Sequence, residues 1–313
     1  CYIQGQEHAK VSELLIRNSE QHPGMGQELY ETSSAARAVF DMAERILPGT
    51  LEMCFSGDAA ELSKTVNTQP CLFAADLACA AALDEKTGRR ADACAGFSLG
   101  EFAALAYSGM LTYEDAFRLV CLRGRAMDAC AAAHPGKMAA VLRLSADAVE
   151  ELCSRCGAYP VNYNCPGQIS CAGSPEAVDK LTAAVKERGG RAVPIAVSGP
   201  FHTPYMENCA SELRQALSEI NLMPPTAAVY SNVTGDRYPS DRDSAAKLIY
   251  SQCVSGVRWE SILRNMSADF YVEAGPGHTL SGFLKRTLPD KPGCGVEDAE
   301  TLRAAAELIK DMN

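Results

Sequence analysis

Ser98 stands between two glycines in Gly96-Phe97-Ser98-Leu99-Gly100, after a short apolar run and before an alanine-rich one. The G-x-S-x-G spacing suits a sharp strand-to-helix turn, which needs small neighbours and lifts the serine hydroxyl out at a helix N-terminus. There the N–H of Leu99 and the helix dipole can face a developing oxyanion. A nucleophile is one reading of this pattern, and a plain structural turn is the other.

A nucleophilic serine needs a base at neutral pH, and the chain has five histidines. His8 and His22 precede any clear core element, His134 sits in a loop beside Pro135, and His278 follows EAGPG at a helix start. His202, in VSGPFHTPYM, falls where a small folding unit hands back to a larger one, so a cleft between the two would hold it. Its alternative is a junction histidine bonded to backbone. The third residue comes from helical geometry. Thr112 and Asp115 form a capping pair for a helix reaching about Ala131. Its apolar stripe runs through Ala116, Leu119, Val120 and Met127, and Arg123 lies inside that stripe while Arg118 and Arg125 face away. A guanidinium on the core side must be matched, either by a protein carboxylate or by a substrate carboxylate gripped bidentately.

The elements around these residues alternate between short apolar runs and helical patterns, which predicts an α/β fold with a mainly parallel sheet. One stretch differs. KMAAVLRL, a helix capped by Ser145, PVNYN, QISCAG, a helix opened by Ser174-Pro175 and RAVPIAV follow one another in the order βαββαβ, that of a ferredoxin-like unit. The expected architecture is a large, α/β-hydrolase-like parallel-sheet domain formed by residues 1–133 and 204–313. A ferredoxin-like small subdomain, residues 134–203, is inserted into it.

Composition narrows the function classes. Hydrophobic residues make up 47% and charged residues 22%, and the longest apolar runs fall short of a membrane span. The net charge is −10 with no basic patch, which argues against nucleic acid as a partner. The opening CYIQGQEHAK has no charged-then-apolar leader pattern, and the fourteen cysteines scatter through apolar segments. We therefore expect a cytoplasmic protein with reduced thiols and no membrane association; a monomer is also expected. Cys153 and Cys156 form a lone C-x-x-C in a helical pattern, without the second pair or histidine a metal site needs, so no metal is expected.

Taken together, the chain resembles the malonyl-CoA:acyl-carrier-protein transacylases from about Gln21 to Arg286. The resemblance rests on ordered matches: PGMGQELY, TQPCLF, GFSLGE, RLVCLRGRAM, PVNYNCPGQISCAG, SGPFH, YSNVTG, QCVSGVRW and VEAGPGHTLSGFLKR. It implies acyl transfer between malonyl-CoA and the phosphopantetheine thiol of acyl carrier protein through a malonyl-serine, with no cofactor. Ser98 would be the nucleophile, His202 the general base, Arg123 the grip on the malonyl carboxylate, and Leu99 an oxyanion N–H. Gln252 matches the position whose backbone carbonyl orients the histidine. Phe201 resembles the malonyl-selective pattern, and Asn162 falls among the substrate-binding positions.

Two departures stand out. Phe97 replaces the histidine usual before the nucleophile. At the family's G-Q-G-[S/A]-Q loop the chain reads Arg17-Asn18-Ser19-Glu20-Gln21, so Asn18 takes the position of the oxyanion-hole glutamine. The preceding KVSELLI suits a helix as well as a strand, because Ser12 and Glu13 interrupt what should be a continuous apolar run. A poorly active binding relative and a stand-alone polyketide acyltransferase are the alternatives these features leave. An α/β-hydrolase sharing the elbow would instead need a late base such as His278. An acidic carrier protein would call for a local basic cluster, for which Lys285, Arg286 and Arg191 are the candidates.

Overall fold

The computed structural model describes residues 12–16, 21–266 and 268–311. Among these, nine strands form two sheets. The first is wholly parallel, in the order β7 (Ala228–Tyr230), β2 (Ala93–Gly96), β1 (Ser12–Ile16), β8 (Phe270–Ala274), β9 (Gly293–Val296). Parallel neighbours require crossovers, and the helices that make them cover both faces. Side-chain alternation therefore feeds two cores. Leu14, Ile16, Cys94 and Val272 join one apolar cluster, while Leu15, Ala93, Ala95 and Tyr271 join the other.

The segment whose sequence suits a helix as well as a strand is the central strand of this sheet, paired with β2 on one side and β8 on the other. Leu14, Leu15 and Ile16 are buried, which is enough for the strand's inner part. Glu13 enters at its N-terminal end, where Asp84, Arg89 and Arg90 line the adjoining crevice. The charge thus sits among polar groups at the edge of the core and not in its middle. Asn18 and its neighbours lie outside the described residues.

The second sheet is antiparallel, in the order β4 (Tyr159–Cys165), β5 (Gln168–Gly173), β3 (Lys137–Leu142), β6 (Arg191–Ile195). Along the chain it reads β3, helix Ala146–Cys156, β4, β5, helix Pro175–Glu187, β6. Ser145 and Ser174 cap the two helices by accepting from Ala148 N and Ala177 N. Before this sheet comes helix Tyr113–Ala133, capped by Thr112, whose side chain takes the Asp115 N–H at 3.0 Å. That helix packs on Thr65–Thr87, a helix buried along most of its length. The thirteen described cysteines are free thiols. No described helix is long and apolar enough to cross a membrane. Among the described residues no group of three or more His, Cys, Asp or Glu side chains could hold a metal ion.

Candidate active site

The turn that carries Ser98 is forced by close backbone approach. A Cβ on Gly96 would come within 1.9 Å of the Gly100 carbonyl, so β2 and helix Gly100–Tyr107 can meet only through glycine. Ser98 itself has φ 51°, a left-handed conformation that costs a side-chain-bearing residue energy and marks a functional turn. Asn232 holds the strained backbone in place. Its Oδ1 accepts the Ser98 N–H at 2.7 Å and its Nδ2 donates to the Gly96 carbonyl at 2.6 Å. The N–H of Leu99, the next residue, donates to no described group and sits at the helix start beside the hydroxyl.

His202 meets Ser98 from the segment where the chain returns to the parallel-sheet part. Its Nε2 lies 2.8 Å from Ser98 Oγ, and its Nδ1 lies 2.9 Å from the Gln252 carbonyl. A carbonyl only accepts, so Nδ1 carries the proton and Nε2 is left to accept the serine O–H. Burial and the neighbouring Arg123 cation hold the imidazole down to about 4, below its ordinary 6.5. It is therefore neutral, and able to take a proton, across the whole physiological range.

Arg123 is 1% exposed, and no carboxylate pairs with it among the described residues. Nη1 donates to Gln69 Oε1 at 2.8 Å; Nη2 donates to Gln252 Oε1 at 2.9 Å and to Ser98 Oγ at 3.1 Å. Its Nε has no described partner, and the guanidinium lies 5.5 Å from the Phe102 ring centre. Of the two alternatives for a core-facing arginine, the described residues offer no ready-made carboxylate partner. The cation is steadied by neutral oxygens and adjoins the nucleophile.

A cleft of about 800 Å³ opens over these groups. Ser98, Arg123, Gln69 and Met127 line it from the parallel-sheet side, Met138, Asn162 and Ile195 from the antiparallel sheet, and Phe201 and His202 from the returning segment. Asn162 Oδ1 is buried without a described partner. Thr65 and Ser198 share a 3.0 Å hydroxyl contact across the mouth.

The structure thus brings together Ser98, His202, Arg123, Gln252, Leu99, Phe201 and Asn162. Phe97 is absent from the cleft lining; its ring packs edge-on to Trp259 at 5.5 Å and against Phe283 at 6.2 Å. His278 is mostly exposed, lies 3.5 Å from Glu297 and does not line the cleft, and the histidine on Ser98 Oγ is His202. Arg286 donates to Gln168 at 2.6 Å, and Lys285 and Arg191 are exposed. Four residues without an assigned role in the sequence reading belong to the site: Gln69, Glu101, Asn232 and Tyr238. Burial pushes Glu101 up to about 7, against three hydrogen-bond donors and Arg123, which pull it down. Three of them stand in the quoted matches TQPCLF, GFSLGE and YSNVTG, which was the available signal.

Known proteins share this arrangement of chain. The acyl transferase domain family matches residues 19–313. The malonyl CoA-acyl carrier protein transacylase of Bacillus subtilis is 35% identical over 315 aligned residues, covering 97% of this chain and 99% of that protein. Its Escherichia coli K12 counterpart is 34% identical over 260 residues, covering 80% and 84%. The crystal structure of the Clostridium perfringens transacylase superposes with a TM-score of 0.92 at 33% identity, covering 97% and 98%. A malonyl-transacylase solved in complex with its holo type II PKS acyl-carrier protein gives 0.90 at 30%, covering 95% and 99%.

Proposed function

This chain belongs to the acyl transferase family, among the malonyl CoA-acyl carrier protein transacylases, and from that premise we infer how its site works. The protein is an acyltransferase that moves malonyl from malonyl-CoA to acyl carrier protein, the loading step of fatty-acid synthesis. The observation that carries the mechanism is the Ser98–His202–Gln252 carbonyl relay beside an arginine with no carboxylate partner among the described residues.

In this reading His202 Nε2 takes the Ser98 proton as Oγ attacks the malonyl thioester carbonyl. The Leu99 N–H faces the oxyanion of the tetrahedral intermediate. As that intermediate collapses, the C–S bond breaks and His202 returns the proton to the CoA thiolate, leaving malonyl esterified to Ser98. The phosphopantetheine thiol of the carrier then gives its proton to His202 and attacks the ester. His202 finally protonates the departing Ser98 oxygen. Arg123 holds the malonyl carboxylate throughout, which aligns the thioester for attack. Phe201 and Asn162 shape the cleft wall opposite. None of these steps calls for a metal or cofactor. Asn18 would add a second oxyanion donor, through its backbone.

The finer architecture belongs to the same reading: a hydrolase-like large domain of residues 1–133 and 204–313, and a ferredoxin-like insertion of residues 134–203. The sheet order β4-β5-β3-β6 supports the second label. A cytoplasmic monomer, with no nucleic-acid or membrane partner, completes it. The test is intact mass after brief exposure to malonyl-CoA, followed by addition of holo carrier protein. The expected result is one malonyl adduct on the parent chain, absent from Ser98→Ala and discharged by the carrier. No adduct on folded parent would overturn the reading.

A further inference from the structure

A buried cation without a direct counter-ion needs its charge balanced from nearby, and the balance here lies one amide away. Gln252 turns Oε1 toward Arg123 and Nε2 toward Glu101 Oε2 at 2.5 Å and the Ser98 carbonyl at 2.7 Å. Glu101 is 1% exposed, and its other oxygen accepts the Asn232 N–H at 2.9 Å and the Tyr238 hydroxyl at 2.7 Å. Every group these bonds aim at Glu101 is a donor, so an acceptor-only carboxylate fits the position.

We infer that Glu101 is the positioning residue that sets which way the Gln252 amide faces, and so keeps an acceptor on Arg123 while leaving that guanidinium open to the malonyl carboxylate. The inference rests on the malonyl-transfer reading above. Its logic is one of shape against polarity. A glutamine at 101 has the size of glutamate but a single acceptor oxygen. If that oxygen stays with Asn232 and Tyr238, its NH2 confronts the NH2 of Gln252. If Gln252 turns over to escape, its NH2 faces Arg123 and its oxygen faces the Ser98 carbonyl. Either outcome sets like groups against each other among side chains that are buried. A carboxylate touching Arg123 directly would avoid the problem, but it would occupy the place the substrate needs. Interposing an amide supplies the charge without blocking the site.

The test compares two probes on the protein at pH 8. Malonyl-CoA loading across concentrations reads the Arg123 site. Labelling by a neutral fluorophosphonate reads Ser98 and His202 without any carboxylate for Arg123. The parent must load malonyl; if it labels but does not load, the malonyl reading itself fails, separately from this inference. For Glu101→Gln the expected kcat/KM for loading falls about 10- to 100-fold, mostly through KM, while labelling stays within about threefold. Glu101→Asp, which restores the charge, recovers part of the loss. Unchanged loading in Glu101→Gln, or equal falls in both probes, would overturn the inference. Should Glu101→Gln fail to fold, Glu101→Asp carries the same comparison: loading must fall more than labelling, and equal falls count against Glu101.

Discussion

Two arginines flank β2, and their surroundings differ in one respect that decides what each can do. Arg90, just before the strand, has Nε 3.2 Å from Asp84 and lies over the Tyr107 ring at 4.5 Å. It also donates to the Tyr107 carbonyl, while the Tyr107 hydroxyl donates to Asp84 at 3.0 Å and accepts the Ala91 N–H at 2.8 Å. Those contacts close on themselves. Arg123, beside the turn that follows the strand, is far more buried yet is held by amide oxygens and a serine hydroxyl. Burial of a cation is thus a poor guide to function by itself. The carboxylate present at Arg90, and missing at Arg123 among the described residues, separates a structural clamp from a binding group.

The sharpest contrast comes from removing the reacting atom. Ser98→Ala should lower malonyl loading by about 10⁴-fold or more, measured by adduct formation, while circular dichroism stays that of the parent. Next, Arg123→Met should cut loading about 10²- to 10³-fold, since a buried charge-assisted contact to substrate is lost. Its stability should fall by about 2–3 kcal/mol, because the buried Gln69 and Gln252 oxygens lose their donor and Glu101 loses its balancing cation. Loading within about twofold of the parent would show that Arg123 is a clamp like Arg90.

The pH dependence gives the third effect. His202 is held down to about 4. Loading at saturating malonyl-CoA, where a KM effect from protonating Glu101 at about 7 no longer enters, should therefore be nearly level from pH 8 to 5 and fall as pH drops through 4. A histidine at 6.5 would keep only about 3% of its base form at pH 5. The same shift affects stability. Between pH 6.5 and 4 the unfolded chain takes up a proton that folded His202 refuses, so this group lowers stability as pH falls through that window. An acid limb near 6.5 in single-turnover loading at saturating malonyl-CoA would contradict the buried, Arg123-adjacent setting. The smallest effect belongs to the other arginine. Arg90→Met should cost about 1 kcal/mol in chemical denaturation, given a half-exposed pair, and leave loading within about twofold.

The sequence exposed Ser98, His202 and Arg123 because each breaks a local pattern: a serine between glycines, a histidine at a unit junction, a cation in an apolar stripe. Glu101 breaks nothing. An acidic residue in the first turn of a helix is the ordinary complement to the dipole, and only the approach of Gln252, Asn232 and Tyr238 from distant segments gives it another meaning. Gln69 and Asn232 stayed unassigned for the same reason, as single amides whose partners are set by tertiary contact. β1 shows the opposite case. Ser12 and Glu13 suggested damage to a central strand, but three apolar residues suffice when the charge falls at the strand's polar end.

The relay also fixes an order of assembly. Ser98 and His202 are 104 residues apart along the chain, with the whole antiparallel sheet folded between them, and Gln252 stands 154 residues beyond the serine. A growing chain places its nucleophile and its cation early, gains a base only after β6 has docked, and gains the carbonyl that orients that base later still. Contacts of such long separation form late. Reactivity at the serine is therefore among the last properties the folding chain acquires, and a fragment ending before residue 252 would carry the nucleophile with no means of aiming its base.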